Sequence, residues 1–165
     1  MGSSILKGMD QPRLLNGPTL LIAGTREHYT LGTIGDIPAQ WKRFAPYIGN
    51  IPGQTGHTTF GVCCDFDGNG GFDYICGVEV SGFSELSQHE LPQQWDRLRI
   101  LEQKYAVFTH SDHLSTLKKT YDAIYRDWLP QSGKTPTSGP TFERYDENFN
   151  PATGMGGLEI WIPIY

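Results

Sequence analysis

Three cysteines, two of them the neighbours Cys63 and Cys64, are too few and too close together for a paired disulfide framework. With no secretory signal ahead of the fold, a reducing cytoplasmic setting is the expectation. Basic residues are also scarce: 13 Lys and Arg stand against 18 Asp and Glu, a net charge of -5, with no basic cluster. The electrostatic footprint of a nucleic-acid binder is therefore missing, and neutral or cationic partners suit the charge better. No apolar run approaches the roughly 18 residues of a membrane-spanning helix. The longest, Leu20-Leu21-Ile22-Ala23, is strand-sized. Gly and Pro together stay below the share found in low-complexity chains, so a folded chain is expected, and 165 residues fit one domain. Residues 1–12 read as a leader and 13–165 as that single domain.

What is present is a pattern that occurs twice. Residues 19–25 are apolar and β-prone, and the stretch over 36–47 carries Ile37, Gln40-Trp41, Phe44 and Tyr47, with Ile48 directly after it, at helical spacing, with Asp36 as N-cap and Pro38 in the first turn. Residues 58–66 and 72–80 are β-rich runs joined by Asp67-Gly68-Asn69-Gly70-Gly71, a hairpin. The second half repeats the order: a long strand over 97–109, a helix over 112–129 capped by Ser111 or Asp112 and ended by Pro130, then short strands at 141–145 and 158–164. At an offset of 84, Trp41-Lys42-Arg43-Phe44-Ala45-Pro46 falls on Tyr125-Arg126-Asp127-Trp128-Leu129-Pro130, and Thr25 falls on Thr109; at 82, Thr59-Phe60 falls on Thr141-Phe142. The fold class is α+β: duplicated β-α-β-β halves, about 13–82 and 97–165, in an antiparallel sheet with two main helices. Halves packed about a pseudo-two-fold axis leave a cleft between them, where small-molecule pockets form.

The last strand is the most informative. In Leu158-Glu159-Ile160-Trp161-Ile162-Pro163-Ile164, period two puts the isoleucines on one face, against the helices, and Glu159 with Trp161 on the other. That second face is expected to line the cleft, where a carboxylate beside an aromatic ring is the chemistry of cation recognition. Against this stands the ordinary reading of Glu159 as a solvated edge residue. Ile75 is the first-half counterpart of Glu159, so the charge exists on one side only. Tyr145, Trp41 and Phe44 are further candidate walls, although Trp41, Tyr125 and Trp128 also sit at core spacing.

Other motifs weaken on inspection. Asp65-x-Asp67-x-Asn69-Gly70 begins like a calcium loop, but Cys76 stands where the bidentate Glu is needed and strands flank it. His110 and His113 lack a third ligand and read as capping and surface residues. Cys63 and Cys64 point to opposite faces of a strand with no histidine base beside them and read as buried thiols. No metal or other cofactor is expected.

The duplicated halves, Gly77-Val78-Glu79-Val80 closing the first, Thr141-Phe142-Glu143-Arg144-Tyr145-Asp146 in the late strand, and the closing 158–164 run together resemble the GyrI-like, or AraC-type effector-binding, small-molecule-binding domain. The resemblance covers about 13–164. It implies a hydrophobic groove that binds amphipathic cations through an acidic residue, which by motif falls on Glu159. It also implies a binding module rather than an enzyme, in a form without a DNA-binding domain, for drug sensing or sequestration. Some family members resemble hydrolases of strained electrophiles, for which Tyr145 and Glu159 are the candidate pair. A protein partner such as gyrase, a separate DNA-binding subunit, or a second copy joined at a strand edge stays open.

Overall fold

The computed structural model describes residues 11–84 and 95–165; most of the leader therefore lies outside the described residues. Eight strands form one antiparallel sheet: β1 (Arg13–Gly17), β2 (Leu20–Tyr29), β3 (Gln54–Cys64), β4 (Phe72–Val80), β5 (Trp95–Ile100), β6 (Gln103–His110), β7 (Thr141–Tyr145) and β8 (Leu158–Ile164). Their order is β1-β6-β8-β7-β3-β4-β2-β5. β3 and β7 pair at the centre with Gly61 opposite Glu143, and the remaining strands follow outward in matching pairs, which is the expected pseudo-two-fold duplication.

The strand expected over 97–109 is two strands, split at Leu101-Glu102, and the split has a topological meaning. Gly17 faces Gln103 and Leu20 faces Ile100, so register is kept across both Pro18-Thr19 and Leu101-Glu102. β1–β2 and β5–β6 are thus two long strands paired along their whole length. β1 nevertheless stands at one end of the sheet and β2 beside the other end. From Gly17 to Leu20 the chain can reach about 11 Å, whereas six strand spacings in a flat sheet would need about 29 Å. The sheet must roll until its ends meet, and the long ribbon closes it. Across the junction the Glu102 amide donates to Thr19 Oγ1 at 3.3 Å.

Rolling creates an inside and an outside. Inside, with no helix of the described residues packed on it, Ile22, Phe60, Val62, Ile75, Ile100, Tyr105, Val107 and Phe142 form one buried cluster with Trp161 against it. Outside, α1 (Ile37–Phe44) covers Ala23, Tyr74, Cys76 and Val78 with Phe44. On the other half, α2 (Leu117–Ala123) covers Ala106, Phe108, Ile160, Ile162 and Ile164. The isoleucine face of β8 meets the helices as period two requires.

Several local readings change. Asp36 precedes α1, but its side chain makes no cap bond. In the second half the cap is His113, whose Nδ1 accepts from the Ser115 amide at 3.0 Å, while the Asp112 carboxylate accepts from the His113 amide. Pro130 does not end the helix. A π-turn (Ile124–Trp128) leads into α3 (Leu129–Ser132), with Pro130 in the first turn of α3 and Gly133 closing it at φ 72°. The physical reason lies in the proline: without an N–H, Pro130 cannot donate to the Arg126 carbonyl, and the ladder widens ahead of it. The matching Pro46 instead falls in a 3₁₀ turn, Ala45–Tyr47. Finally, Thr25 and Thr109 are not structural mates. Thr25 pairs with Cys76, Gly61 and Glu143 make Ile160 the mate of Cys76, and Ile160 pairs with Phe108. A slip of one residue sends Thr109 to the opposite face.

Candidate functional site

The helices sit on separate halves, so the seam between them lies over β3 and β7, at the pseudo-two-fold axis. Residues of these strands that face the seam are Thr59, Gly61 and Cys63 on β3 and Thr141, Glu143 and Tyr145 on β7, as alternation requires. A carboxylate therefore stands at the centre of the outer face. Glu143 is 5% exposed. Burying an ionisable group this far needs compensation, and three phenols supply it. The Tyr74 and Tyr145 hydroxyls each donate to Oε1 at 2.8 Å, and the Tyr121 hydroxyl donates to Oε2 at 2.7 Å. Above them, Trp41 Nε1 donates to the Tyr74 oxygen at 3.1 Å, and the Trp41 and Tyr145 rings meet edge to face with centroids 5.5 Å apart.

The electrostatics follow from this packing. Desolvation pushes the Glu143 carboxyl above the ordinary carboxylate range, and the hydrogen bonds from Tyr121, Tyr145 and Tyr74 pull it part of the way back. Burial and the nearby Glu143 carboxylate raise the phenols of Tyr74, Tyr121 and Tyr145 well above their usual value, so they remain donors at physiological pH. Burial likewise raises the Cys63 thiol well above its usual value, which keeps it protonated and poorly nucleophilic. Tyr125, in the π-turn, stacks on Tyr121 with planes 7° apart and is 41% exposed. The arrangement is a buried acid floored by phenols, with aromatic walls that solvent reaches. Such a site can bind a flat or bulky organic cation by ring contact and charge, each ring face being worth about 0.5 to 2 kcal/mol.

Two buried polar side chains fix the helices beside it. Gln40, fully buried, accepts from the Tyr29 hydroxyl at 2.7 Å and donates to the Thr25 and Tyr74 carbonyls at 2.9 and 3.2 Å, tying α1 to β2 and β4. His110 is buried rather than on the surface. Its ring bonds the Thr120 hydroxyl and the His113 carbonyl at 2.8 and 2.9 Å, tying β6 to α2. Asp67 has its carboxylate committed to the amides of Asn69 and Gly71 in the hairpin turn.

Of the residues singled out in the sequence, Tyr145 and Trp41 come together at the seam, and Phe44 lies fully buried beneath Trp41 with ring centroids 6.0 Å apart. Glu159, Trp161 and Ile75 do not join them. They share the opposite face, as alternation says, but that face is the inside of the roll and not the seam between the helices. Trp161 stacks on Phe142 at 5.2 Å, Ile75 is fully buried, and Glu159 is paired with Arg13 and, at 3.7 Å, with Arg144. Strand alternation assigns residues to two faces but does not say which face carries the cleft. Sequence reasoning passed over Glu143, Tyr74 and Tyr121. The available signal was an acid alternating with Thr141 and Tyr145 on one face of a strand at the duplication axis.

The comparisons agree with this architecture. Along 156 residues the chain is 31% identical to the transcriptional regulator BrlR of Pseudomonas aeruginosa, covering 93% of this chain and 55% of the regulator. The chain thus spans about half the length of that curated relative. Among solved structures, SAV2435 bound to tetraphenylphosphonium superposes with a TM-score of 0.72 at 17% identity, over 94% of each chain. The integron cassette protein VCH_CASS2, from the mobile metagenome of Vibrio cholerae, gives 0.64 at 15% identity, over 95% of this chain and 97% of its own. Both share the fold. The description "GyrI-like small molecule binding domain" matches residues 10–165, nearly the whole chain, and on the strength of that match the protein belongs to the GyrI-like family of small-molecule-binding domains.

Proposed function

We propose that this chain binds amphipathic organic cations in the seam between its helices, with Glu143 as the counter-charge and Trp41, Tyr121, Tyr125 and Tyr145 as the aromatic wall. The observation that carries this reading is the Glu143 carboxylate, 5% exposed and held by three phenols under partly open rings. Among the described residues no Lys or Arg pairs with this buried acid, which is costly for the fold alone, and a bound cation would offset that cost. SAV2435 holding tetraphenylphosphonium on the same fold supports the ligand class. The likeness to BrlR supports a sensing role, in which the bound cation acts as the effector of a transcription regulator. Glu159 is outside this reading because its charge is already met by two arginines on the other face.

The test is a titration of the protein's tryptophan fluorescence with tetraphenylphosphonium and with a neutral tetraphenyl analogue. Glu143→Gln is expected to weaken the cation by about tenfold to a hundredfold while changing the neutral compound little, and Glu159→Gln to leave both unchanged. Equal losses for both ligands in Glu143→Gln would remove Glu143 from the role of counter-charge. Cation affinity is also expected to fall on acidification, starting above the ordinary carboxylate range, as Glu143 takes up its proton.

A second reading has one observation in its favour. Tyr145 and Glu143 are within 2.8 Å, and a carboxyl raised by burial is the type of general base that could direct water at a strained electrophile. Incubation with an epoxide or activated cyclopropane and product analysis decides it: turnover abolished in Glu143→Gln would establish a hydrolase, and unchanged substrate at a saturating concentration would dismiss it.

A further inference from the structure

The duplication should give two equivalent halves, yet only one carries the acid. Glu143 on β7 has Gly61 on β3 as its mate, and the register from Gly61–Cys76 to Glu143–Ile160 makes Leu158 on β8 the mate of Tyr74 on β4. Tyr74 and Glu143 are not on adjacent strands. β3 lies between them, so the phenol has to cross a strand, over a distance of about 9.5 Å between backbones. It crosses above Gly61. A Cβ built on Gly61 would stand 2.7 Å from Tyr74 Cζ and 2.8 Å from Glu143 Oε1, and nearer still to the Tyr74 hydroxyl. Contacts that close are not found around real side chains, and strand backbone on either side cannot give way cheaply. Gly61 is in ordinary strand conformation, absent from the positive-φ glycines, so the backbone does not require a glycine there; the passing phenol does.

We infer that Gly61 is the positioning residue of the site: by leaving the space above β3 open it lets Tyr74 reach across and hold the Glu143 carboxylate, which makes the duplicated fold one-sided. This deepens the proposed function and rests on Glu143 being its counter-charge. The mate pair, Glu143 with Leu158, has no room for a phenol and no donor to offer. Any side chain at 61 pushes the Tyr74 hydroxyl off Oε1, leaving Tyr145 and Tyr121 as donors, and it also removes the acceptor of the Trp41 indole N–H. Its effect therefore reaches the aromatic wall through Tyr74, with no contact between Gly61 and a ligand being needed.

The experiment reads Glu143 directly, by ¹³C-carboxyl NMR of the ligand-free protein as a function of pH, with the Glu143 signal identified by its loss in Glu143→Gln. Other groups that act on this carboxyl are Tyr74 and Cys76 on β4, Cys63 on β3, Tyr145 on β7, Tyr121 on α2 and His110 on β6. They are common to all the variants compared except where substituted. Gly61→Ala and Tyr74→Phe are each expected to raise the Glu143 midpoint by roughly one pH unit, the effect of one lost charge-assisted donor. In the Tyr74→Phe background, Gly61→Ala should add nothing, because the donor it displaces is already gone. Tetraphenylphosphonium binding is then compared in the same variants, with the affinity in each tracking its Glu143 midpoint.

A residue of merely structural importance would lower stability without moving that midpoint. A wild-type midpoint in folded Gly61→Ala, or additive shifts in the double variant, would overturn the inference. If Gly61→Ala fails to fold, Tyr74→Phe alone still decides: an unmoved midpoint means that Tyr74 does not hold the carboxylate and Gly61 has nothing to position. Failure of the wild type to bind the cation, with the midpoint shifts as expected, would reject the proposed ligand and leave the positioning role of Gly61 intact.

Discussion

At the scale of single residues, Glu143 is held buried at a cost to stability, which its proposed role as counter-charge would explain. Its carboxyl titrates near 4.5 in an unfolded chain and higher in the fold, because burial outweighs the phenol donors. Between those two values the folded state holds a proton that the unfolded state has released. By linkage this contribution to stability is fully present below about 4.5 and is lost as pH rises through the folded titration. Urea midpoints of the wild type should therefore fall as pH rises through that window, whereas in Glu143→Gln this part of the slope should vanish. The glutamine variant should match or exceed the wild type at neutral pH while losing the cation. A steeper fall in the variant would show that the phenol cage more than compensates the buried charge. Glu159 contrasts with it, since its carboxylate is paired with Arg13 and Arg144.

At the scale of elements, each helix is held to the sheet by buried polar side chains as well as by its apolar face. Gln40 meets two hydroxyls and two carbonyls from β2 and β4, and it is fully buried at a position where the helix spacing alone would place an apolar residue. Replacing it with leucine leaves the Tyr29 hydroxyl and two strand carbonyls without their partner, at a cost of about 2 to 4 kcal/mol. Denaturant unfolding of Gln40→Leu should show that loss as a lower midpoint with unchanged slope. Because Trp41 follows Gln40, a loosened α1 should also release the Trp41 indole from Tyr74 and shift its fluorescence. A midpoint equal to the wild type would mean that apolar packing alone seats α1. The second helix is seated differently, through His110 and through a π-turn imposed by Pro130, which carries Tyr125 to the open side of the seam.

At the scale of the whole molecule, the halves recognisable in the sequence are not the halves that fold. Among the described residues, β1 opens the first half of the chain but pairs with β6 of the second, and β5 opens the second half but pairs with β2 of the first. Each half closes the other's sheet edge. A fragment of residues 11–84 would leave the flanks of β1, β2 and β3 unpaired and half of the inner cluster in water. We expect this fragment alone to show the poorly dispersed amide spectrum of an unfolded chain and to gain native dispersion when residues 95–165 are added. Native dispersion in the isolated fragment would mean that the roll is not a single cooperative unit. The same closure accounts for Trp161, which stacks on Phe142 and meets Tyr105 edge to face, centroids 5.2 Å apart in each pair, and packs partly buried against the inner cluster.

The sequence by itself determined the duplication, the α+β class, the two helices and the extents of β4, β7 and β8, because these rest on periodicity and local turn chemistry that neighbouring residues supply. It also assigned the isoleucines of β8 to one face and Glu159 with Trp161 to the other. Only the tertiary structure decided which face carries the cleft, since the two faces become different only when two-residue links force the sheet to roll and enclose one of them. On that choice rests the proposal of Glu143, rather than Glu159, as the counter-charge. Of the phenols within 2.8 Å of Glu143, Tyr145 is its near neighbour on the same strand, whereas Tyr74 and Tyr121 come from a flanking strand and a helix far off in the chain. Local alternation could pair Glu143 with Tyr145 but not with the other two, because those partners are delivered only by the fold.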